Sequence, residues 1–283
     1  MPDITAAMVK ELRDKTDVPM MKAKQALVDA GGDMDAAIQK LREENSKIQP
    51  KEGRISAEGV VEAFVREHGK LGVLVEINSE TDFVARNEEF VALARFLAKH
   101  AGHNPTAASV DELLDKSHVD TGAPARDRLQ EALAKLRENI IFKQFVAYET
   151  NDGTIASYIH SNGQIGVLVE LSGEGPEVAA LGREVAMQVA AQNPKYVTRE
   201  QVPADVVASE REIVRANTMS DERNAKKPAD ILEKIIEGGI GTFYKTAVLV
   251  EQPYIREPKQ SVAQFLGNKA AVRRFVRYEI GKA

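Results

Sequence analysis

The chain has 283 residues, of which 43% are hydrophobic and 29% charged, with a formal net charge of −5 and no cysteine. That length allows about two domains and a sizeable core, in the ordinary composition of a soluble globular protein. The missing thiols exclude a disulfide framework, a thiolate metal site and a cysteine nucleophile, and the acidic balance argues against a protein whose main task is holding phosphate backbones.

Residues 3–44 read as a compact helical unit. Thr5 is placed to cap a first helix with Val9 and Leu12 on one face. Thr16-Asp17-Val18-Pro19 breaks that helix, and a second carries Met20, Met21, Ala23, Ala26 and Leu27 up to a stop at Gly31-Gly32. Asp33 caps a third helix with Ala37, Ile38 and Leu41 inside. Asn45 to Arg54 is polar, contains Pro50 and Gly53, and reads as a linker. Next come a strand around Val61, Ala63 and Val65, a turn at His68-Gly69-Lys70 and a β-branched strand from Leu71 to Ile77. Phe64 interrupts the polar face of the first of these strands. Asn87 starts a helix bearing Phe90, Val91, Leu93, Ala94 and Leu97, followed by helices near 109–116 and 124–138 and a strand from Ile140 to Tyr148.

The plan then recurs. Gly69-Lys70-Leu71-Gly72-Val73-Leu74-Val75-Glu76-Ile77 is matched by Gly163-Gln164-Ile165-Gly166-Val167-Leu168-Val169-Glu170-Leu171. A strand at Ile155 to His160 precedes the second copy, and a helix from Glu177 to Ala191 follows it. Pro203 to Pro228 is a helical excursion in which Val206, Val207, Ile213 and Val214 recur among charges, as in a helix packed narrowly or against a partner. Asp230 to Glu237 is a further helix that Gly238-Gly239 is expected to stop, with a closing strand from Phe243 to Val250. The tail holds a short helix (Val262, Phe265, Leu266) and a last strand (Phe275, Val276, Tyr278, Ile280). The resulting division is 1–54 as the N-terminal unit and linker, 55–149 as a first core half and 150–283 as a second. The second half includes the insertion at about 198–228 and a C-terminal module at about 259–283.

Enzymatic signatures are weak. Neither Gly69-Lys70 nor Gly281-Lys282 is followed by the Ser or Thr of a phosphate loop. Gly238-Gly239-Ile240-Gly241-Thr242 follows a helix and precedes the expected strand, the wrong order for a phosphate cradle. His100 and His103 read as solvated helix-end histidines rather than zinc ligands. Asp82 has no evident acid or base partner. The expectation is a protein that is not an enzyme and carries no cofactor or metal. No apolar run reaches the roughly 18 residues that span a bilayer, and Met1-Pro2-Asp3-Ile4-Thr5 lacks the start of a signal peptide, so the expected compartment is the cytoplasm.

The two copies diverge at their ends. The first runs through Asn78-Ser79-Glu80 into Thr81-Asp82-Phe83-Val84, the second into Ser172-Gly173-Glu174-Gly175-Pro176. Two readings of the first end stand side by side. In one it starts a helix, with Thr81 or Asp82 as cap and Phe83 packed inward as a staple. In the other Phe83 is an exposed wedge suited to a partner's pocket. His160, ending a strand just before the second turn, is a candidate surface residue.

Two ordered signatures resemble the bacterial translation elongation factor Ts family over essentially the whole chain. The first is Ile4-Thr5, Val9-Lys10-Glu11-Leu12-Arg13, Thr16, Met20-Met21-Lys22, Ala26-Leu27 and Gly32-Asp33. The second is Glu76-Ile77-Asn78-Ser79-Glu80-Thr81-Asp82-Phe83-Val84-Ala85. The resemblance implies an α+β fold with a three-helix module similar to ubiquitin-associated domains. A duplicated core of two antiparallel-sheet and helix halves follows, with a helical dimerisation-type insertion. It implies nucleotide exchange on elongation factor Tu, with Thr81, Asp82, Phe83 and Val84 intruding on the GTPase and disturbing its magnesium site. Met20, Met21 and His160 are further contact candidates, and a homodimer or two-plus-two complex is an expected assembly. One departure stands out: several family members carry Gly before Glu138-Asn139, where this chain has Arg137. The alternative is a binding adaptor built on the ubiquitin-associated-like module.

Overall fold

A computed structural model describes residues 4–16, 18–45 and 54–282. The expected linker lies outside the described residues except at its two ends. Three helices open the chain: α1 (Ala6–Thr16), α2 (Met20–Asp29) and α3 (Met34–Asn45). Thr5 Oγ1 accepts from the Met8 amide at 3.3 Å, and Asp33 Oδ1 from the Ala36 amide at 2.9 Å, so both expected caps form. Gly31 and Gly32 take φ of 62° and 87°, which lets the chain reverse after α2. Val9, Leu12, Ala23, Ala26, Leu27, Ala37 and Leu41 make a small core of their own.

The first half runs β1 (Glu58–Val65), β2 (Leu71–Ser79), the single-turn α4 (Asp82–Ala85), α5 (Glu88–His103), α6 (Val110–Asp115), α7 (Ala125–Leu136) and β3 (Ile141–Glu149). The second runs β4 (Gly153–Ile159), β5 (Ile165–Ser172), α8 (Pro176–Gln192), α9 (Ala204–Ser220), α10 (Ala229–Ala247), β6 (Pro253–Tyr254), β7 (Glu257–Ser261), α11 (Val262–Leu266) and β8 (Val272–Glu279). Each half has a three-stranded antiparallel sheet with the repeated segment in its centre, ordered β1-β2-β3 and β4-β5-β8. Among the described residues no helix is long and apolar enough to cross a membrane.

Two expectations fail together. Gly238-Gly239 does not stop a helix, and Phe243 to Val250 is not a strand; α10 runs through both glycines to Ala247, and β8 closes the second sheet. Leu232, Ile236, Ile240, Phe243 and Ala247 keep the spacing of one helix face. A Cβ on Gly239 would come within 2.4 Å of Val214 Cγ1, so that glycine sets the close approach of α9 to α10. Packing along this seam outweighs a helical cost of about 1 kcal/mol per glycine.

The two sheets pack face to face. Val61, Leu74, Tyr148, Ile155 and Leu168 are buried between them. On the opposite face of the first sheet Val60, Val73 and Val75 share a core with Phe90, Leu93 and Leu97 of α5 and Leu129 and Leu133 of α7, and on that of the second Val167 and Val169 pack with Val185 and Val189 of α8. This two-sided burial explains Phe64, which packs on the helical side against Gly102, where a Cβ would meet its ring at 2.3 Å. The repeat is carried into the contacts. Glu76 and Glu170 occupy equivalent buried positions, each beside a register shift in the pairing with the third strand. Lys143 (3.0 Å) and Gln144 (2.7 Å) donate to Glu76, while Arg274 (2.6 Å) and Arg273 (3.2 Å) donate to Glu170. Burial alone would push the Glu170 carboxyl up, but the hydrogen bonds from Arg274, Thr150 and Arg273 outweigh it and hold the group below the usual range.

His100 corrects another expectation, because it is fully buried rather than solvated. Segment α6 folds over the end of α5, and His100 Nε2 donates to Leu113 O at 2.7 Å. His118, 1% exposed, stacks on Phe96 and accepts at Nδ1 from the Asp120 amide at 3.1 Å. The acceptor bond assigns His118 a neutral imidazole with the proton on Nε2, the His100 bond puts a proton on its Nε2, and burial pushes both below the ordinary value of 6.5. The unfolded chain therefore takes up protons first as pH falls. Stability is expected to be level above about pH 6.5 and to drop below it, by at most about 1.4 kcal/mol per pH unit for each imidazole. Urea unfolding at stepped pH reads this directly, and His118→Phe should flatten the slope.

Candidate functional site

The end of β2 carries the segment in which the repeats differ. Thr81 is extended (φ −126°, ψ 155°) and its Oγ1 accepts from the Val84 amide at 3.3 Å, capping α4. Ser79 Oγ donates to Thr81 O at 3.0 Å. Ala85 is buried and Val84 packs on the core of the first half, so the inner side of this turn is anchored. Asp82 faces outward and pairs with Arg86 at 3.1 Å. Phe83 is 84% exposed, which overturns the staple reading. The phenyl is thus an exposed apolar side chain on a capped and anchored turn.

The sister end has no such side chain. There Gly173 (φ 86°) and Gly175 (φ 101°) turn the chain, and Pro176 begins α8 at once. The second copy needs only to connect a strand to a helix, and backbone conformations open to glycine do so.

Arg54, Ser56, Glu80, Glu138 and Asn139 form the base of the tip. Thr81 N and Oγ1 donate to Glu138 at 3.1 and 2.7 Å. The Asn139 amide donates to Glu80 at 2.8 Å, Arg54 pairs with Glu80 at 3.0 Å, and Ser56 Oγ reaches Asn139 O at 3.4 Å. Sequence reasoning gave these residues no part in the tip. They lie up to 85 positions apart, from Arg54 to Asn139, too far for a local pattern to join them.

Arg137 ends α7 at φ 61°, in the left-handed region. Arginine there is strained where glycine is not. Arg137→Gly is expected to stabilise the fold by about 0.5–1 kcal/mol, net of the entropy glycine adds to the unfolded chain, as thermal unfolding would show.

Thr81, Asp82, Phe83 and Val84 thus stand together on one turn. Met20 and Met21 open α2, 48% and 74% exposed. His160 is exposed at the end of β4, with its Nδ1 3.1 Å from Tyr158 OH. Its turn lies on the first sheet: Val61 N donates to Gly163 O at 2.7 Å, and Gln164 Nε2 reaches Glu58 at 3.4 Å. Glu58 pairs with Ser79, so the second turn reaches the end of the sheet from which the tip projects.

A cleft of about 780 Å³ opens between the halves, with Lys70, Thr154, Glu174 and Arg183 on its walls. Lys70 is committed to structure there, donating to Asn151 O (3.1 Å), Gly153 O (3.0 Å) and Glu174 (2.6 Å).

Comparison with known proteins points to one family. The model of the family described as Elongation factor TS matches residues 80–282. Elongation factor Ts of Methylococcus capsulatus is 43% identical over 281 residues, covering 99% of this chain and 92% of that protein. The Clostridium botulinum (strain Alaska E43 / Type E3) protein of the same name is 39% identical over 289 residues, covering 99% and 93%. That of Nostoc punctiforme is 40% identical over 301 residues, covering 100% and 94%.

Proposed function

The chain belongs to the elongation factor Ts family, the nucleotide exchange factors of elongation factor Tu, and we propose that it releases GDP by driving Phe83 of the Thr81–Val84 segment into the GTPase and disturbing its magnesium site. The observation that carries this reading is Phe83, 84% exposed on an anchored turn that the sister repeat lacks.

GDP is held in such a GTPase by a phosphate loop and by Mg²⁺ bridging to phosphate oxygens. An exchange factor need not touch the nucleotide. It binds the nucleotide-free partner more tightly than the GDP form, and linkage weakens GDP by the same factor. A shift of about ten-thousandfold corresponds to about 5.5 kcal/mol, whereas burying one phenyl supplies roughly 1.5–3 kcal/mol. Other contacts must provide the rest, and Met20, Met21 and His160 are the exposed candidates. Asp82 directs the turn through Arg86 or pairs with the partner, Thr81 caps, and Val84 packs behind. Exposed Ile213 and Met219 on α9 and Ile231 on α10 give the helical hairpin an apolar surface for a second copy, in a homodimer or a two-plus-two complex. A plain adaptor would not need a rigid wedge.

Titration calorimetry against nucleotide-free and GDP-bound elongation factor Tu tests the exchange reading. Binding at least about a thousandfold tighter to the empty GTPase is expected; equal affinities would leave only the adaptor.

A further inference from the structure

A four-residue helix such as α4 is far too short to hold its own shape. Its order must come from what it is tied to. The Thr81 hydroxyl accepts from the Val84 amide, and its proton needs an acceptor of its own. Glu138 Oε1 provides that acceptor at 2.7 Å, while Oε2 takes the Thr81 backbone amide at 3.1 Å. The two bonds fix Thr81 in the rotamer that caps α4. In the reverse direction, Glu80 accepts the Asn139 amide at 2.8 Å. Two neighbouring residues on each side of the junction thus exchange bonds through one carboxylate apiece. Asn139 and the next residue, Ile140, are 4% and 1% exposed, so Glu138 is held against the core rather than on a loose loop. The left-handed turn at Arg137 stops α7 just before Glu138.

Building on the reading of Thr81–Val84 as the intruding segment, we infer that Glu138, supported by Glu80, is a positioning residue that preorganises Phe83 before the partner arrives. It acts through Thr81 and has no need to touch the GTPase. Without it, the Thr81 amide and hydroxyl turn to water, the cap loosens and Phe83 samples orientations that must be frozen out on binding. The loss falls on the step in which the wedge enters, while the remaining contacts still bring the two proteins together.

The test is release of a fluorescent GDP from elongation factor Tu, followed over a range of factor concentrations for the wild type and for Glu138→Ala, Glu138→Gln, Thr81→Val and Phe83→Ala. Glu138→Ala removes both bonds to Thr81, whereas Thr81→Val removes the hydroxyl's bonds to Glu138 and from the Val84 amide and keeps the backbone one. Each should lower the maximal rate by about tenfold, with the half-saturating concentration changed less than about threefold. Glu138→Gln should recover most of the rate. Its amide oxygen accepts the Thr81 N–H and its NH₂ donates to Thr81 Oγ1, whose own proton turns to water from this part-buried position. Hydrogen exchange on the free chain should show faster exchange at the Val84 amide in Glu138→Ala, with β2 unchanged. A Glu138→Ala maximal rate equal to wild type, alongside a slowed Phe83→Ala, would overturn the positioning role while leaving the wedge intact. A Glu138→Gln as slow as Glu138→Ala would also overturn it, because charge rather than geometry would then matter. A Phe83→Ala as fast as wild type would remove the wedge itself, whatever Glu138 does. If Glu138→Ala fails to fold, Thr81→Val and Glu138→Gln still decide.

Discussion

Phe83→Ala should lower the maximal rate at which this chain releases GDP from elongation factor Tu by roughly 10- to 100-fold. The range follows from the roughly 1.5–3 kcal/mol that burial of a phenyl supplies and from tenfold in rate per 1.36 kcal/mol. The same substitution should leave folding stability within about 0.5 kcal/mol, since Phe83 is 84% exposed and contributes little to the core. That combination separates a contact residue from a structural one. Stopped-flow release of a fluorescent GDP gives the rate, and a thermal scan gives the stability. Phe83→Leu, which keeps apolar bulk but not the ring, should fall between alanine and wild type.

The second large effect concerns the junction of the repeats. Gly72 and Gly166 are the same position in the two copies, and each receives a β-branched side chain from the other half. A Cβ on Gly72 would lie 2.4 Å from Ile155 Cγ2, and one on Gly166 would lie 2.4 Å from Val61 Cγ1. Val61 and Ile155 are themselves equivalent, opposite Glu76 and Glu170 in their hairpins. Neither can swing far, because β-branched side chains are stiff and both sit in the cluster between the sheets. Gly72→Ala and Gly166→Ala should each destabilise by about 1–3 kcal/mol through overpacking. The double variant should deviate from additivity, because both changes press on one interface. Urea denaturation measures all three. Single variants within about 0.5 kcal/mol of wild type would contradict the close packing of the two halves.

Much of this architecture could be read from local pattern. The duplicated strand, the caps at Thr5, Asp33, Thr81 and Asn87, and the stop at Gly31-Gly32 depend on neighbours within a few residues, and all formed as expected. What escaped depends on tertiary contact. Gly238-Gly239 looks like punctuation until Val214 is seen against Gly239. His100 looks like a helix end until α6 covers it and Leu113 supplies an acceptor. Phe64 breaks an alternation that holds only for a strand with one wet face. At the candidate site, the asymmetry of the repeats marked Thr81 to Val84, and exposure separated the two readings of Phe83. The partners that hold the turn were hidden, because Glu138 lies 57 residues from Thr81 and pairs over that distance leave no periodic trace.

The most direct measurement is GDP release from elongation factor Tu with saturating wild-type chain or Phe83→Ala, made in millimolar magnesium and again after chelation with EDTA. If Phe83 works by disturbing the magnesium site, removing the metal does its work in advance. The advantage of wild type over Phe83→Ala should then collapse from roughly 10- to 100-fold in magnesium to less than about threefold in EDTA. An advantage of the same size in both conditions would contradict the proposal, because Phe83 would then weaken GDP by a route that does not pass through the metal.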